Sequence, residues 1–158
     1  MLHKLSISNY ALIASLSVDF DNGFSVITGE TGAGKSILLG ALGFLLGNRA
    51  DTSILFDDTK KCVVEGVFVL EGERLKSFFE ENDIDYEDEC IIRRELNPQK
   101  KSRAFVNDTP VSLQTLKELG SHLVDIHSQH DSLLLCNPDF QLTLLDDAAD
   151  NSTLLIEY

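Results

Sequence analysis

Alternation of apolar and polar residues opens the chain. Over residues 2–9, Leu5 and Ile7 fall on one side of an extended segment and Ser6 and Ser8 on the other, the period-two pattern of a half-buried strand. Leu12-Ile13, then Leu16, Val18 and Phe20 spaced by Ser17 and Asp19, repeat it. Asp21-Asn22-Gly23 predicts a turn into a short buried strand ending at Thr28. The period then changes: the run ILLGALGFLL over residues 37–46 gives a helix with a broad apolar face, starting near Ser36 and stopping near Gly47-Asn48.

Downstream, residues 49–59 read as an irregular connection, and 62–70 as a strand rich in valine. Residues 74–82 predict a short surface helix. Residues 90–96 and 102–107 predict two strands joined as a hairpin through Asn97-Pro98-Gln99-Lys100-Lys101. Residues 107–110 form a turn. Ser112 then caps a helix running to Leu119 and stopped by Gly120. Residues 122–127 predict a further strand. From Pro138 onward the apolar spacing predicts helix that is still running at Tyr158. No internal repeat is present, and strands interleaved with helices predict an α/β fold.

Composition adds limits. The 158 residues suit one domain with a proper core. No apolar run approaches the ~20 residues of a membrane helix, and Met1-Leu2-His3-Lys4-Leu5-Ser6 lacks a signal-peptide core; the expectation is a cytoplasmic protein without a membrane partner. Cys62, Cys90 and Cys136 are odd in number and far apart, which suggests neither a disulfide framework nor a thiolate zinc site. The net charge of −13 argues against diffuse nucleic-acid binding. Yet Arg93, Arg94, Lys100, Lys101 and Arg103 are five of the thirteen lysines and arginines, gathered in one short stretch.

Between the strand at 23–28 and the helix at 36–46 lies Gly29-Glu30-Thr31-Gly32-Ala33-Gly34-Lys35-Ser36, followed by Ile37. This is the phosphate-binding loop G-x-x-x-x-G-K-[ST] in its required strand–loop–helix setting. Glycines let backbone N–H groups approach an anion that a Cβ would keep away. The helix N-terminus adds a partial positive charge of roughly half a unit. Lys35 places a cation between the β- and γ-phosphates, and the Ser36 hydroxyl is a hard oxygen ligand suited to Mg2+. The motif alone does not separate an ATPase from a GTPase or a small-molecule kinase.

With these motifs placed, the chain resembles the N-terminal part of the bacterial RecN family of repair ATPases, relatives of the SMC (structural maintenance of chromosomes) proteins. The resemblance is carried by LSISNYALI at 5–13, VITGETGAGKSI at 26–37, LGNRAD at 46–51, RRE at 93–95, SRAFVN at 102–107, VSL at 111–113 and LVDIHSQH at 123–130. It implies the N-terminal lobe of an ABC-type ATPase head over residues 1–145, a mixed sheet around the loop helix with antiparallel hairpins, and the base of a coiled-coil arm over 146–158. It implies ATP and Mg2+ as ligands, with Gln129 at the position of the family's Q-loop glutamine, a ligand to the metal and to water; Ser128 departs mildly from the family pattern. Lys35 and Gln129 are then the candidate catalytic residues. The resemblance further implies a C-terminal lobe supplying Walker B and signature motifs (neither occurs in these residues), a second head in a homodimer, DNA as a partner and a place at the nucleoid.

Three weaker readings stay open. The stretch 93–103 suits either DNA phosphates or an edge hairpin kept soluble by its cations. Arg49 suits either an SMC-like contact to nucleotide or DNA, or a helix C-terminus. Asn9 and Tyr10 suit either the nucleotide pocket or packing. His122, His127 and His130 with Asp125 and Asp131 lack the spacing of a zinc site. Beside the ATPase stand two alternatives, a P-loop kinase of a small substrate and a non-catalytic, nucleotide-gated dimerisation or DNA-binding module.

Overall fold

In the computed structural model the described residues are 1–28, 34–49, 54–70, 72 and 75–126. All of them but residue 126 fall in a compact unit spanning Met1–Asp125. Its frame is a six-stranded sheet of β1 (Leu2–Tyr10), β2 (Ile13–Asp19), β3 (Cys62–Val69), β4 (Glu89–Leu96), β5 (Ser102–Val106) and β6 (Thr109–Val111). The order is β2-β1-β3-β4-β5-β6, with every neighbouring pair antiparallel. Three helices accompany it: α1 (Gly34–Leu45), α2 (Lys76–Glu81) and α3 (Leu113–Leu123).

Alternation decides what faces the helices. Leu5, Ile7, Val64, Phe68, Ile92, Leu96 and Val106 are all buried to 1% exposure or less, and they sit at every second position of their strands, as a pleated sheet requires. α1 lies over this layer. Gly66 lets it approach: a Cβ there would stand 2.7 Å from Leu45 Cδ2. Phe44 and Leu45 complete the core from the helix side.

Two helix ends are legible in chemistry, the end of α1 and the start of α3. At the C-terminus of α1, Asn48 N–H donates to Gly43 O at 2.9 Å and Gly47 N–H to Phe44 O at 3.3 Å, with Gly47 at φ +102°. That is a Schellman stop, for which glycine is the fitting residue. α3 starts as expected, with Ser112 Oγ accepting from Thr115 N–H at 3.0 Å.

Three expectations are corrected. Residues 24–28 are irregular rather than a buried strand, with Phe24 93% and Val26 66% exposed; a buried strand needs strands to pair with, and none of the described strands pairs with them. Gly120 does not stop α3, which runs on through His122, so the strand at 122–127 is not formed over its described residues. Gly120 instead faces Leu46, whose carbonyl oxygen would lie 3.0 Å from a Cβ. α2 is short, as read, but is not simply a surface helix: Phe79 is fully buried and meets Tyr86 edge-on at 5.4 Å.

Candidate phosphate-binding site and the elements that hold it

The phosphate loop reaches the described residues at its last three positions. Gly34, Lys35 and Ser36 form the exposed first turn of α1, and Ile37 follows half-buried. The leading N–H groups of a helix have no carbonyl partner within it, and this turn carries no acidic residue. Gly34 has open space where a Cβ would project. A polyanion therefore meets the leading N–H groups, the positive end of the helix and the Lys35 ammonium, in a turn without an acidic residue of its own. The Ser36 hydroxyl at the same edge suits a hard cation bridging phosphate oxygens. Beside the turn is a cavity of about 510 Å3, lined by Ile13, Leu16, Val18, Ile27, Thr28 and Leu38 together with Gly34 and Lys35. Gly29, Glu30, Thr31, Gly32, Ala33 and Gln129 lie outside the described residues, as do His127, His130 and Asp131.

α1 is held from its far end. Its first half is largely exposed, whereas Ala41, Gly43, Phe44 and Leu45 are buried. Tyr10 packs beneath it, 6.0 Å from the Phe44 ring, with its hydroxyl near the backbone of Gly40. Asn9, at φ +56°, is 5% exposed and organises the loop beside it. Its Nδ2 donates to Asp57 O and Lys60 O at 3.0 and 2.9 Å, and its Oδ1 accepts from Asp57 N–H at 2.7 Å. Of the two roles open for Asn9 and Tyr10, these contacts are packing ones.

The basic stretch does not act as one group. Arg94 is 1% exposed and is therefore corrected: it cannot meet DNA phosphates from the sheet surface. Its Nη1 donates to Phe44 O and to Asn48 O, its Nε to Ser102 Oγ at 3.2 Å, and its guanidinium lies 4.2 Å from the Phe44 ring centroid. Desolvation pulls it down to about 10, still cationic at neutral pH, and the negative end of α1 compensates the charge. Strand alternation held the signal: Ile92 and Leu96, two positions to either side, are core residues. Arg93, on the opposite face, is engaged with Asp108 at 3.2 Å and Glu95 at 3.9 Å, and lies 4.8 Å from the Phe105 ring. Lys100, Lys101 and Arg103 remain exposed at and just beyond the hairpin tip. There Lys100 N–H donates to Asn97 O and Asn97 N–H to Lys101 O.

Arg49 is exposed just past α1 and shares a shallow cavity of about 430 Å3 with Lys117. No three His, Cys, Asp or Glu side chains cluster as a metal site among the described residues, and no helix among them is long and apolar enough to cross a membrane.

Residues 4–153 match the family model of the AAA domain. The chain is 42% identical over 156 residues to DNA repair protein RecN of Vibrio cholerae, covering 98% of this chain and 28% of that protein. Against RecN of Bacillus subtilis it is 42% identical over 151 residues, covering 94% and 26%. It thus spans little more than a quarter of the length of these curated relatives. A solved structure from work on ATP-driven dimerization and DNA-stimulated activation of SMC ATPases matches with a TM-score of 0.65 at 22% identity, over 93% of this chain and 98% of that one. That likeness shows the fold alone, the α/β arrangement of sheet and helices described above. The chain belongs to the AAA domain family, and its similarity to the RecN proteins runs through nearly its whole length.

Proposed function

We propose that this chain is the ATP-binding, N-terminal lobe of a RecN-like ATPase that acts in recombinational repair of DNA double-strand breaks. One observation carries the reading: the exposed, acid-free first turn of α1 bearing Gly34, Lys35 and Ser36, in a chain similar to RecN proteins from end to end. Gly29 to Ile37 would cradle the phosphates, and Ser36 with Gln129 would hold Mg2+, which neutralises charge on the transferring phosphoryl group. Residues 1–145 are read as the lobe and 146–158 as the base of a coiled-coil arm. A C-terminal lobe would add the general base, a second head of a homodimer would add the signature motif, and ATP would draw the two heads together to bridge DNA near the nucleoid. The exposed cations Lys100, Lys101 and Arg103 suit DNA phosphates, with Arg93 already engaged by carboxylates.

Phosphoryl transfer needs metal, water-orienting base and charge stabilisers in place together. The 158-residue chain alone is therefore expected to bind Mg·ATP weakly and to hydrolyse it negligibly, and Lys35→Ala to abolish the binding. Calorimetric titration and single-turnover hydrolysis measure both. Hydrolysis by the chain alone at the rate of the full-length protein, abolished by Lys35→Ala, would contradict the division of labour. Binding that survives Lys35→Ala unchanged would contradict the site.

A further inference from the structure

β6 leaves part of the sheet edge uncovered. Only three residues long, it ends with Val111 opposite Ala104, and Ser112 then turns the chain into α3. β5 begins two residues before Ala104, at Ser102. Successive residues of an antiparallel strand direct their backbone groups to opposite neighbours. Lys101 O accepts from Asn97 N–H, and Asn107 N–H donates to Ile91 O, so the odd-numbered residues here face β4. Ser102 therefore turns its N–H and C=O to the other side, where no strand among the described residues pairs with it. An open stretch of edge is a template for another extended chain.

Beside that stretch is a cavity of about 480 Å3, whose lining combines Ser102 and Arg103 of the edge with apolar surface from Phe105, Pro110, Val111 and Leu113. Leu113, the first residue of α3, is exposed although large and apolar. Lys100, Lys101 and Arg103 are exposed at the same end of the hairpin, whereas Arg93 is held by Asp108 and Glu95. Backbone groups open to strand pairing, an apolar groove and a positive rim thus lie together. A nucleic acid would use the cations and leave the groove and the edge idle. A neutral apolar strand would fill the groove and leave the rim without a counter-charge. An acidic chain is repelled by a molecule of net charge −13 except close to such a rim, so charge complementarity brings it here.

We propose that the open edge of β5 and the groove beside it form a docking site for an extended acidic peptide of a partner protein, which adds to the sheet beyond β6 and seats one large apolar side chain in the groove. Main-chain hydrogen bonds supply affinity in such an arrangement, and the seated side chain supplies selectivity. The site goes beyond the function proposed above and requires neither nucleotide nor DNA.

The test uses the full-length protein and a fluorescein-labelled peptide with Val-Phe-Val at its centre and three aspartates on each side, followed by fluorescence anisotropy. Companion peptides replace the aspartates by lysines, replace the central Phe by Gly, or carry methyl groups on one or the other alternate set of backbone nitrogens. The parent peptide is expected to bind saturably. The lysine and glycine companions should bind at least about fivefold more weakly. Of the two methylated peptides only one should weaken to that extent, because an added strand pairs through one edge. In the protein, Leu113→Ala and Arg103→Glu should each weaken the parent peptide by a similar factor. Both residues are exposed, so neither change opens the core, and circular dichroism like that of wild type verifies the fold. Absence of saturable binding by the parent peptide overturns the docking site. So does binding that Arg103→Glu abolishes but Leu113→Ala and both methylated peptides leave unchanged, since that describes a site for polyanions alone. Binding that survives both protein variants lies elsewhere on the molecule and overturns the assignment as well.

Discussion

Arg94 and its neighbour Arg93 show how far single residues could be read. Charge counting put both in one basic cluster. Alternation separates them, because Arg94 shares its face with Ile92 and Leu96. Which carbonyls receive it was not legible, since Phe44 and Asn48 lie some fifty positions away and meet it only through the fold. The cysteines were easier: their spacing suggests no disulfide framework, and Cys62 and Cys90 are free and fully buried. Burial lifts the Cys62 thiol to about 11, with Arg94 partly opposing, and the Cys90 thiol to about 12, well above the ordinary thiol range. These are acids with raised folded values. Their contribution to stability is present below pH ~9 and lost as pH rises through the folded values, because the unfolded thiols ionise first. In a Cys136→Ser background, DTNB at pH 8 should label neither thiol in the native chain and both after urea unfolding. Labelling of the native chain within mixing time would contradict the burial.

At the scale of elements, period and punctuation carried most of the lobe. β1 to β5, α1 and the start of α3 lie where alternation, valine content and capping residues put them. Glycine was read correctly at Gly47 and wrongly at Gly120, and the reason is physical. A helix-stopping glycine and a glycine that lets two helices touch look the same in a single sequence; only the neighbour tells them apart. Here both neighbours belong to one junction. Gly47 approaches Lys117 of α3, whose Cα would stand 3.0 Å from a Cβ, and Gly120 approaches Leu46. Gly47→Ala therefore meets two obstacles, a left-handed φ of +102° and a backbone that cannot move aside as a flexible side chain could. The expected loss is about 1–3 kcal/mol, read as a lower urea midpoint with an unchanged slope. A midpoint equal to wild type would mean that α3 does not pack against the end of α1 in solution.

For the whole lobe, the segment 24–28 is where sequence and structure part most clearly, and the difference bears on how the lobe behaves alone. Phe24, Val26 and Ile27 have the composition of an interior strand but are 93%, 66% and 50% exposed, and Leu39 on α1 is 49% exposed. The apolar cavity lined by Leu16, Val18, Ile27 and Leu38 opens close by. Contiguous apolar surface of this kind marks an interaction site or an aggregation liability, and the curated relatives are several times longer than this chain. Against association stands the net charge of −13, whose repulsion weakens as salt shortens the Debye length from about 30 Å at 0.01 M to about 10 Å at 0.1 M. The two effects predict a particular salt dependence. The isolated chain should self-associate more as ionic strength rises, and a Phe24→Asp/Val26→Asp variant should stay monomeric across the same range, both followed by sedimentation velocity. A charge-driven assembly would dissociate with salt instead, and a wild-type chain that remained monomeric from low micromolar to hundreds of micromolar at high salt would mean that residues 24–28 find their cover within the chain itself.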